Sequence, residues 1–381
     1  MDIYLDNAST TFPKPKVVAD SIYNYLVNVG GNANRSNYSN SLESSRSLYV
    51  SRETICNFFN FNNPNNVIFT NNITTSLNTL IKGILKSGDH VITSSMEHNS
   101  VLRPLMQCKN DLGIEISIVQ ADQKGFINPK DIENEIRLNT KLIVISHASN
   151  VTGSIQDIKS IGDICFKNNI FFVVDSAQSA GMIPIDMKEI KANAIAFTGH
   201  KSLLGPQGIG GFIIDDELNK NCTPLVVGGT GSLSHSMTQP DFLPDKFESG
   251  TMNMPGVIGL LNSIKYLNEI GIEHIKNHVS TLRGKLLDGL LNIDGITVYG
   301  DLNNLNSTTC LSFNYKNLDP SEVAYLLESE GIKTRAGLHC APLAHKSINT
   351  FPTGTVRLSL SYFNTIDDIN YTLKILNNFK L

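Results

Sequence analysis

From about residue 65 to 215 the chain alternates short apolar runs with amphipathic stretches, and no other feature limits its fold so tightly. The runs 67–69, 90–92, 116–119, 142–146, 170–174, 194–197 and 211–214 each have the length of one strand. Between them, 76–86, 99–111, 129–138 and 157–168 carry apolar residues at helical spacing. That rhythm predicts an α/β fold, a mostly parallel sheet with helices on both faces. Ligands of such sheets sit beyond the carboxyl ends of the strands.

At 381 residues the chain exceeds one ordinary domain. Residues 256–293 read as one long helix, with Leu260, Leu261, Ile264, Leu267 and Ile270 at helical spacing. Strand, helix and strand patterns follow at 308–314, 320–331, 332–334 and 355–361, the signature of a smaller α+β domain. The expected division is a large domain over 15–255 and a small one built from 1–14 and 256–381. Residues 230–254 lack periodicity and carry Gly231, Pro240 and Pro244, so they read as a long loop of functional type.

A net charge of −4 and the lack of a basic block argue against nucleic acid or an anionic membrane surface as partner. Small molecules and other proteins remain. The first residues lack a basic start, and no apolar stretch approaches the ~20 residues a membrane helix requires, so a cytoplasmic location is expected. Six cysteines lie without Cys-x-x-Cys spacing, which argues against a disulfide framework or a zinc site and leaves no metal to expect. Cys56, Cys108, Cys165, Cys222 and Cys310 read as buried small hydrophobes. Cys340, between Gly337 and Pro342, reads as a loop residue.

Two strand-end charges stand out. Asp175 closes the run Phe171-Phe172-Val173-Val174, and Lys201 follows Ala196-Phe197-Thr198-Gly199-His200. Separately, a lysine after a strand is usually solvated and a strand-end aspartate often caps a helix. Together, with small polar neighbours and Gly205-Pro206-Gln207-Gly208 downstream, they have the form of a cofactor's two anchors. One is an amine for a Schiff base, and the other a carboxylate that keeps a ring nitrogen protonated.

Tyr4-Leu5-Asp6-Asn7-Ala8-Ser9-Thr10-Thr11, Glu97-His98-Asn99, Ser146-His147-Ala148-Ser149-Asn150-Val151-Thr152-Gly153, Asp175 to Gln178, Thr198 to Lys201, Glu248-Ser249-Gly250-Thr251-Met252-Asn253 and Arg335-Ala336-Gly337-Leu338-His339-Cys340-Ala341 complete the picture. In this order the set resembles the cysteine desulfurases, class V aminotransferases of pyridoxal phosphate (PLP) fold type I. The resemblance implies pyridoxal 5'-phosphate as cofactor and a homodimer with active sites at the subunit interface. It also implies a reaction that takes sulfur from L-cysteine, leaves L-alanine, holds the sulfur as a persulfide on Cys340 and passes it to an acceptor protein. A selenocysteine lyase, or another class V aminotransferase or carbon-sulfur lyase, is the alternative.

The resemblance also assigns roles. Lys201 matches the cofactor-bound lysine, Asp175 the partner of the pyridine nitrogen, and Gln178 and Asn150 donors to the phenolic oxygen. His98 matches the histidine that stacks on the ring and, titrating near neutral pH, exchanges a proton with substrate. Thr74, the Ile73 amide, Thr198 and His200 match the phosphate contacts, with Thr251 supplied by the partner subunit. Arg357 matches the arginine that grips the substrate carboxylate, assisted by Arg335 and Asn150. Arg335 and His339 are expected to favour the Cys340 thiolate. His147 reads as structural.

The 17 positions from Cys340 to Arg357 resemble the SufS-like group, including selenocysteine lyases, more than the IscS-like group. Four features depart from pattern: Tyr38, Asn72 where glycine is usual, Ile73, and Ala341-Pro342-Leu343-Ala344-His345. Asn72 is expected to replace glycine by adopting a left-handed backbone.

Overall fold

The computed structural model describes residues 2–33, 38–304, 306–316 and 318–379. The short strand β1 (Ile3–Tyr4) precedes seven strands of one sheet. These are β2 (Val67–Thr70), β3 (His90–Ser94), β4 (Glu115–Val119), β5 (Thr140–Ser146), β6 (Phe171–Asp175), β7 (Ala194–Thr198) and β8 (Gly210–Ile214). Their order is β2-β8-β7-β6-β5-β3-β4. All neighbours are parallel except that β8 runs antiparallel to both β2 and β7. The expected mostly parallel α/β sheet is therefore the observed one.

Every residue of β3, β6, β7 and β8 is buried, which is why β6 and β7 read as near-continuous apolar runs. Alternation still decides which core each side chain joins. Leu142 and Val144 of β5 pack with the helices Ile73–Ile84 and Asn99–Leu112, whereas Ile143 and Ile145 pack with Ile158–Lys167 and Met254–Ile270.

The predicted single helix over 256–293 is two helices, Met254–Ile270 and Ile272–Leu291. Gly271 separates them with φ +88°, a backbone that a glycine adopts without strain. The apolar period runs across the break, so periodicity alone could not reveal it. The helix predicted over 129–138 stops at Asn134.

Toward the C-terminus lie β9 (Ile296–Tyr299), β10 (Cys310–Tyr315), β11 (Ile332–Lys333), β12 (Arg335–Gly337) and β13 (Thr355–Ser359). Four of them form an antiparallel sheet in the order β12-β13-β10-β9. The remaining strand, β11, pairs in parallel with β1 and ties the first residues to the last quarter of the chain.

Residues 230–253 form no helix or strand. Glu248 nevertheless anchors this segment to the sheet, with its carboxylate on the Arg52 guanidinium (Nη1 to Oε1, 2.9 Å) and on the Phe69 amide (2.7 Å). Arg52 also donates to the Val67 carbonyl and lies 5.0 Å from the Phe69 ring centre. Both members of the pair are buried. Arg52→Ala therefore leaves a carboxylate without its counter-ion, and thermal denaturation should show a loss of about 3–5 kcal/mol. An unchanged melting temperature would mean that the pair contributes nothing.

Among the described residues, no helix is long and apolar enough to cross a membrane.

Candidate functional site

A cavity of about 230 Å³ opens where β5, β6 and β7 end, with Ser146, Asp175 and Thr198 in its wall. It has room for far more than a water or two. Lys201, His200, His98, Asn150, Gln178, Ile73, Thr74, Arg335 and Arg357 complete the part of the wall that carries chemistry. All but three of the residues given a role at the site from the sequence thus meet in one place. The exceptions are Cys340, His339 and Thr251.

Asp175 is buried at the end of β6, where one carboxylate oxygen accepts the Ala177 amide at 2.9 Å. Burial raises its titration above the ordinary range, opposed by that amide and by the Lys201 cation. Lys201 responds in the opposite sense. Desolvation pulls its ammonium down from 10.5 to about 8, partly offset by Asp175.

The main chain at Lys201 is clamped from the N-terminus. Thr11 N, Thr10 Oγ1 and Lys14 Nζ all donate to the His200 carbonyl, at 2.9, 3.2 and 2.7 Å. Thr11 Oγ1 donates to the Lys201 carbonyl at 2.8 Å. Burial lowers Lys14 to about 8 as well.

The anion end of the cavity is the start of helix Ile73–Ile84. Asn72 caps it, its side chain accepting the Thr75 amide at 2.9 Å. The left-handed backbone expected at Asn72 is not there: φ is −172° and ψ 168°, an extended conformation open to any residue. Asparagine is present as a helix cap rather than as a substitute for glycine. The amides of Ile73 and Thr74 belong to the first helical turn, where no intrahelical acceptor exists. Thr198 Oγ1 and His200 Nδ1 are buried without a hydrogen-bond partner among the described residues. These orphaned groups, together with the helix N-terminus, fit the phosphate of PLP, while Asp175 and Lys201 fit its ring nitrogen and aldehyde.

His98 caps helix Asn99–Leu112, its Nδ1 taking the Ser100 amide at 3.0 Å. Burial and the nearby cations Lys201, Arg335, Arg357 and Arg103 lower it to about 4. The expectation that it titrates near neutral pH does not hold, because a cation is disfavoured in this setting. The ring is a neutral imidazole, suited to stacking. Asn150 donates to the His339 carbonyl at 2.7 Å and Gln178 to the Ala8 carbonyl at 3.1 Å, so each amide retains a second N–H.

Arg357 lies on β13 and is 1 % exposed. Its Nη2 donates to Asp6 Oδ1 at 2.8 Å and Ser9 Oγ at 3.0 Å, and Nη1 to the Asn150 carbonyl at 3.0 Å. Nε has no partner. Arg335, opposite Arg357 in the register of β12 and β13, approaches Cys340 Sγ with Nη2 at 3.7 Å.

Cys340 is exposed, and the other five cysteines are buried, as their sequence contexts predict. Its turn is rigidly held. The Cys340 carbonyl accepts the Asn99 amide at 2.8 Å, and the His339 carbonyl accepts Asn150. His339 and Cys340 both have left-handed backbones, φ 48° and 58°, a pair of strained residues of the kind that clusters at functional sites. Gly354 allows the neighbouring chain to pass closely, since a Cβ there would lie 2.3 Å from the Gly337 carbonyl carbon.

His339 does not serve the thiol as expected. It is buried against Thr355, its Nε2 3.2 Å from the carbonyl, and burial, Arg357 and other nearby cations lower it to about 2. Being neutral, it lends Cys340 no charge, and Arg335 is left in that role. Thr251 is exposed and borders a separate depression with Thr70, Asn71 and Thr75. His147 is buried beside β6, its amide on the Asp175 carbonyl at 2.9 Å, and burial lowers its ring to about 4.

Four contacts escaped the sequence reading. Asp6 and Ser9 bond Arg357, Lys14 bonds the His200 carbonyl, and Glu97 lies wholly buried behind β5. Glu97 accepts Ser94 Oγ at 2.6 Å and Ser146 Oγ at 2.7 Å, and burial raises it to about 7. Tyr4-Leu5-Asp6-Asn7-Ala8-Ser9 was a visible motif, yet nothing in its local pattern says which distant groups it meets.

The family model for class V aminotransferases matches residues 3–372. A probable cysteine desulfurase of Methanothermobacter thermautotrophicus is 38 % identical, the alignment covering 96 % of this chain and 92 % of that protein. Another from Borreliella burgdorferi is 34 % identical over 97 % and 89 %. Among solved structures, the apo cysteine desulfurase of Thermococcus onnurineus superimposes with a TM-score of 0.92 at 30 % identity, covering 99 % of this chain and 94 % of that one.

Proposed function

The chain belongs to the class V aminotransferase family, and from that premise we propose that it is a PLP-dependent cysteine desulfurase. The observation that carries this reading is the line from Arg357, buried in the cavity that holds Lys201 and Asp175, across Ser9 to Arg335 and on to the exposed thiol of Cys340. Lys201 and Asp175 alone serve many reactions; a held, solvent-reachable thiol beside a carboxylate site selects among them.

Lys201, Asp175, His98, Gln178 and Asn150 would hold the ring of PLP, and Thr74, the Ile73 amide, Thr198 and His200 its phosphate. When bound, PLP supplies a sink for the electron pair left on the substrate as its carbon–sulfur bond breaks. Arg357 binds the substrate carboxylate, and its planar fork suits that group. Arg335 lies against Cys340, whose thiolate attacks the substrate sulfur. A persulfide forms on Cys340, and the substrate carbon gains a proton to leave as alanine. A protein acceptor takes the sulfur, and Thr251 completes the phosphate site of a second copy in a homodimer.

Incubation of the holoenzyme with L-cysteine and a thiol reductant tests this reading. Sulfide and alanine in equal amounts support it. Pyruvate or another keto acid in place of alanine overturns it, and turnover of selenocysteine alone would move the substrate to the selenium analogue.

Lys201 gives a pH test. An amine reacts as a nucleophile when neutral, and at neutral pH lowering from 10.5 to about 8 raises the neutral share roughly 300-fold over an ordinary lysine. Uptake of PLP by the apo chain, followed by absorbance, should accelerate with pH up to about 8 and level off above it. Acceleration continuing to the range of an exposed lysine would show that burial does not activate this amine.

A further inference from the structure

The two arginines of the site are joined through one side chain. Ser9 Oγ accepts Arg335 Nη1 at 3.1 Å and Arg357 Nη2 at 3.0 Å, and donates to Asp6 Oδ1 at 2.8 Å. A hydroxyl has one proton and two lone pairs, so these three bonds use its whole capacity. Asp6 sits on the Arg357 side of this junction, where it makes an ion pair with Nη2. Arg335 makes no ion pair among the described residues; its hydrogen bonds are those to Ser9 and to the Cys340 sulfur.

This has two physical effects. A long, half-buried arginine side chain has many rotamers, and without a fixed partner it spends part of its time away from the thiol. Ser9 supplies that partner, and Ser9 is itself fixed by the Asp6–Arg357 pair. A hydroxyl also does this without adding negative charge, so the guanidinium keeps its full field at the sulfur. A carboxylate in the same place would cancel it.

We infer that Ser9 is a positioning residue for the thiol: its hydroxyl holds Arg335 against Cys340, so that a guanidinium N–H stays at the sulfur when it reacts. The inference rests on the proposed function only in naming what the thiol is for. Reaction of the thiol with an external alkylating agent needs no turnover, so a holoenzyme that failed to desulfurate cysteine would still decide it.

The experiment is the rate of Cys340 alkylation by iodoacetamide as a function of pH, read from the mass of the peptide that contains it, in holoenzyme. In Ser9→Ala the rate at neutral pH should fall roughly three- to tenfold, because the guanidinium no longer stays at the sulfur. Ser9→Thr, which restores a hydroxyl, should return it toward the parent. A Ser9→Ala profile that superimposes on the parent overturns the inference, as does an equal loss in Ser9→Thr, which would make packing the cause. Arg335→Gln gives a second route should Ser9→Ala fold poorly. It should slow alkylation at least as much as the serine change does, and adding Ser9→Thr to it should change nothing further. Alkylation unaffected by Arg335→Gln would sink the proposal from the other side.

Discussion

Cys340→Ser should release sulfide from L-cysteine at least about 10³-fold more slowly than the parent, because a hydroxyl is a far weaker nucleophile toward sulfur than a thiolate. The loss should be specific. Cys340 is not part of the wall of the Lys201 cavity, so PLP should still bind the variant and give its usual absorbance. No other cysteine can substitute. Cys310, the first residue of β10, is wholly buried, and burial raises its thiol together with those of Cys56, to about 11, and Cys222, to about 12. Sulfide formation at the parent rate in a variant that keeps its cofactor would remove Cys340 from the mechanism and favour a carbon–sulfur lyase, for which pyruvate is the product to seek.

Arg357→Ala should raise KM for L-cysteine about 100-fold or more, the consequence of losing a charge-assisted, two-pronged contact with a carboxylate in a dry site. The same change withdraws the cation from Asp6 and strips a partner from Ser9, so kcat should fall as well. Arg357→Lys should recover little, since an ammonium cannot reproduce the fork that reaches Asp6, Ser9 and the Asn150 carbonyl together. The decisive measurement is the division between KM and kcat. An unchanged KM would show that the substrate carboxylate is read elsewhere, with Arg335 the next candidate.

What could be read from the chain alone followed from how local each determinant is. The central sheet was legible because strands buried on both faces are apolar at nearly every position, as β6 and β7 are up to their terminal Asp175 and Thr198. Asp175 and Lys201 were legible because the polar residue that ends such a run marks the place where ligands meet the sheet. Gly271 was not, because an apolar stripe continues on both sides of it. The state of His98 and His339 was equally hidden, since desolvation and neighbouring arginines, all set by tertiary packing, decide whether an imidazole carries charge. Asp6 and Ser9 meet Arg357 from about 350 positions away, and no periodicity or spacing rule reaches so far.

The pairing of β1 with β11 also dictates an order of events in the cell. Residues 3–9 leave the ribosome long before their partners at Ile332, Lys333, Arg335 and Arg357. The seven-stranded sheet, complete by Ile214, can assemble while synthesis continues. The anchor of Arg357 then waits for closure of a loop that spans almost the whole chain, the slowest kind of contact to form. A nascent or truncated chain can therefore own a folded core without owning a site that grips an amino acid.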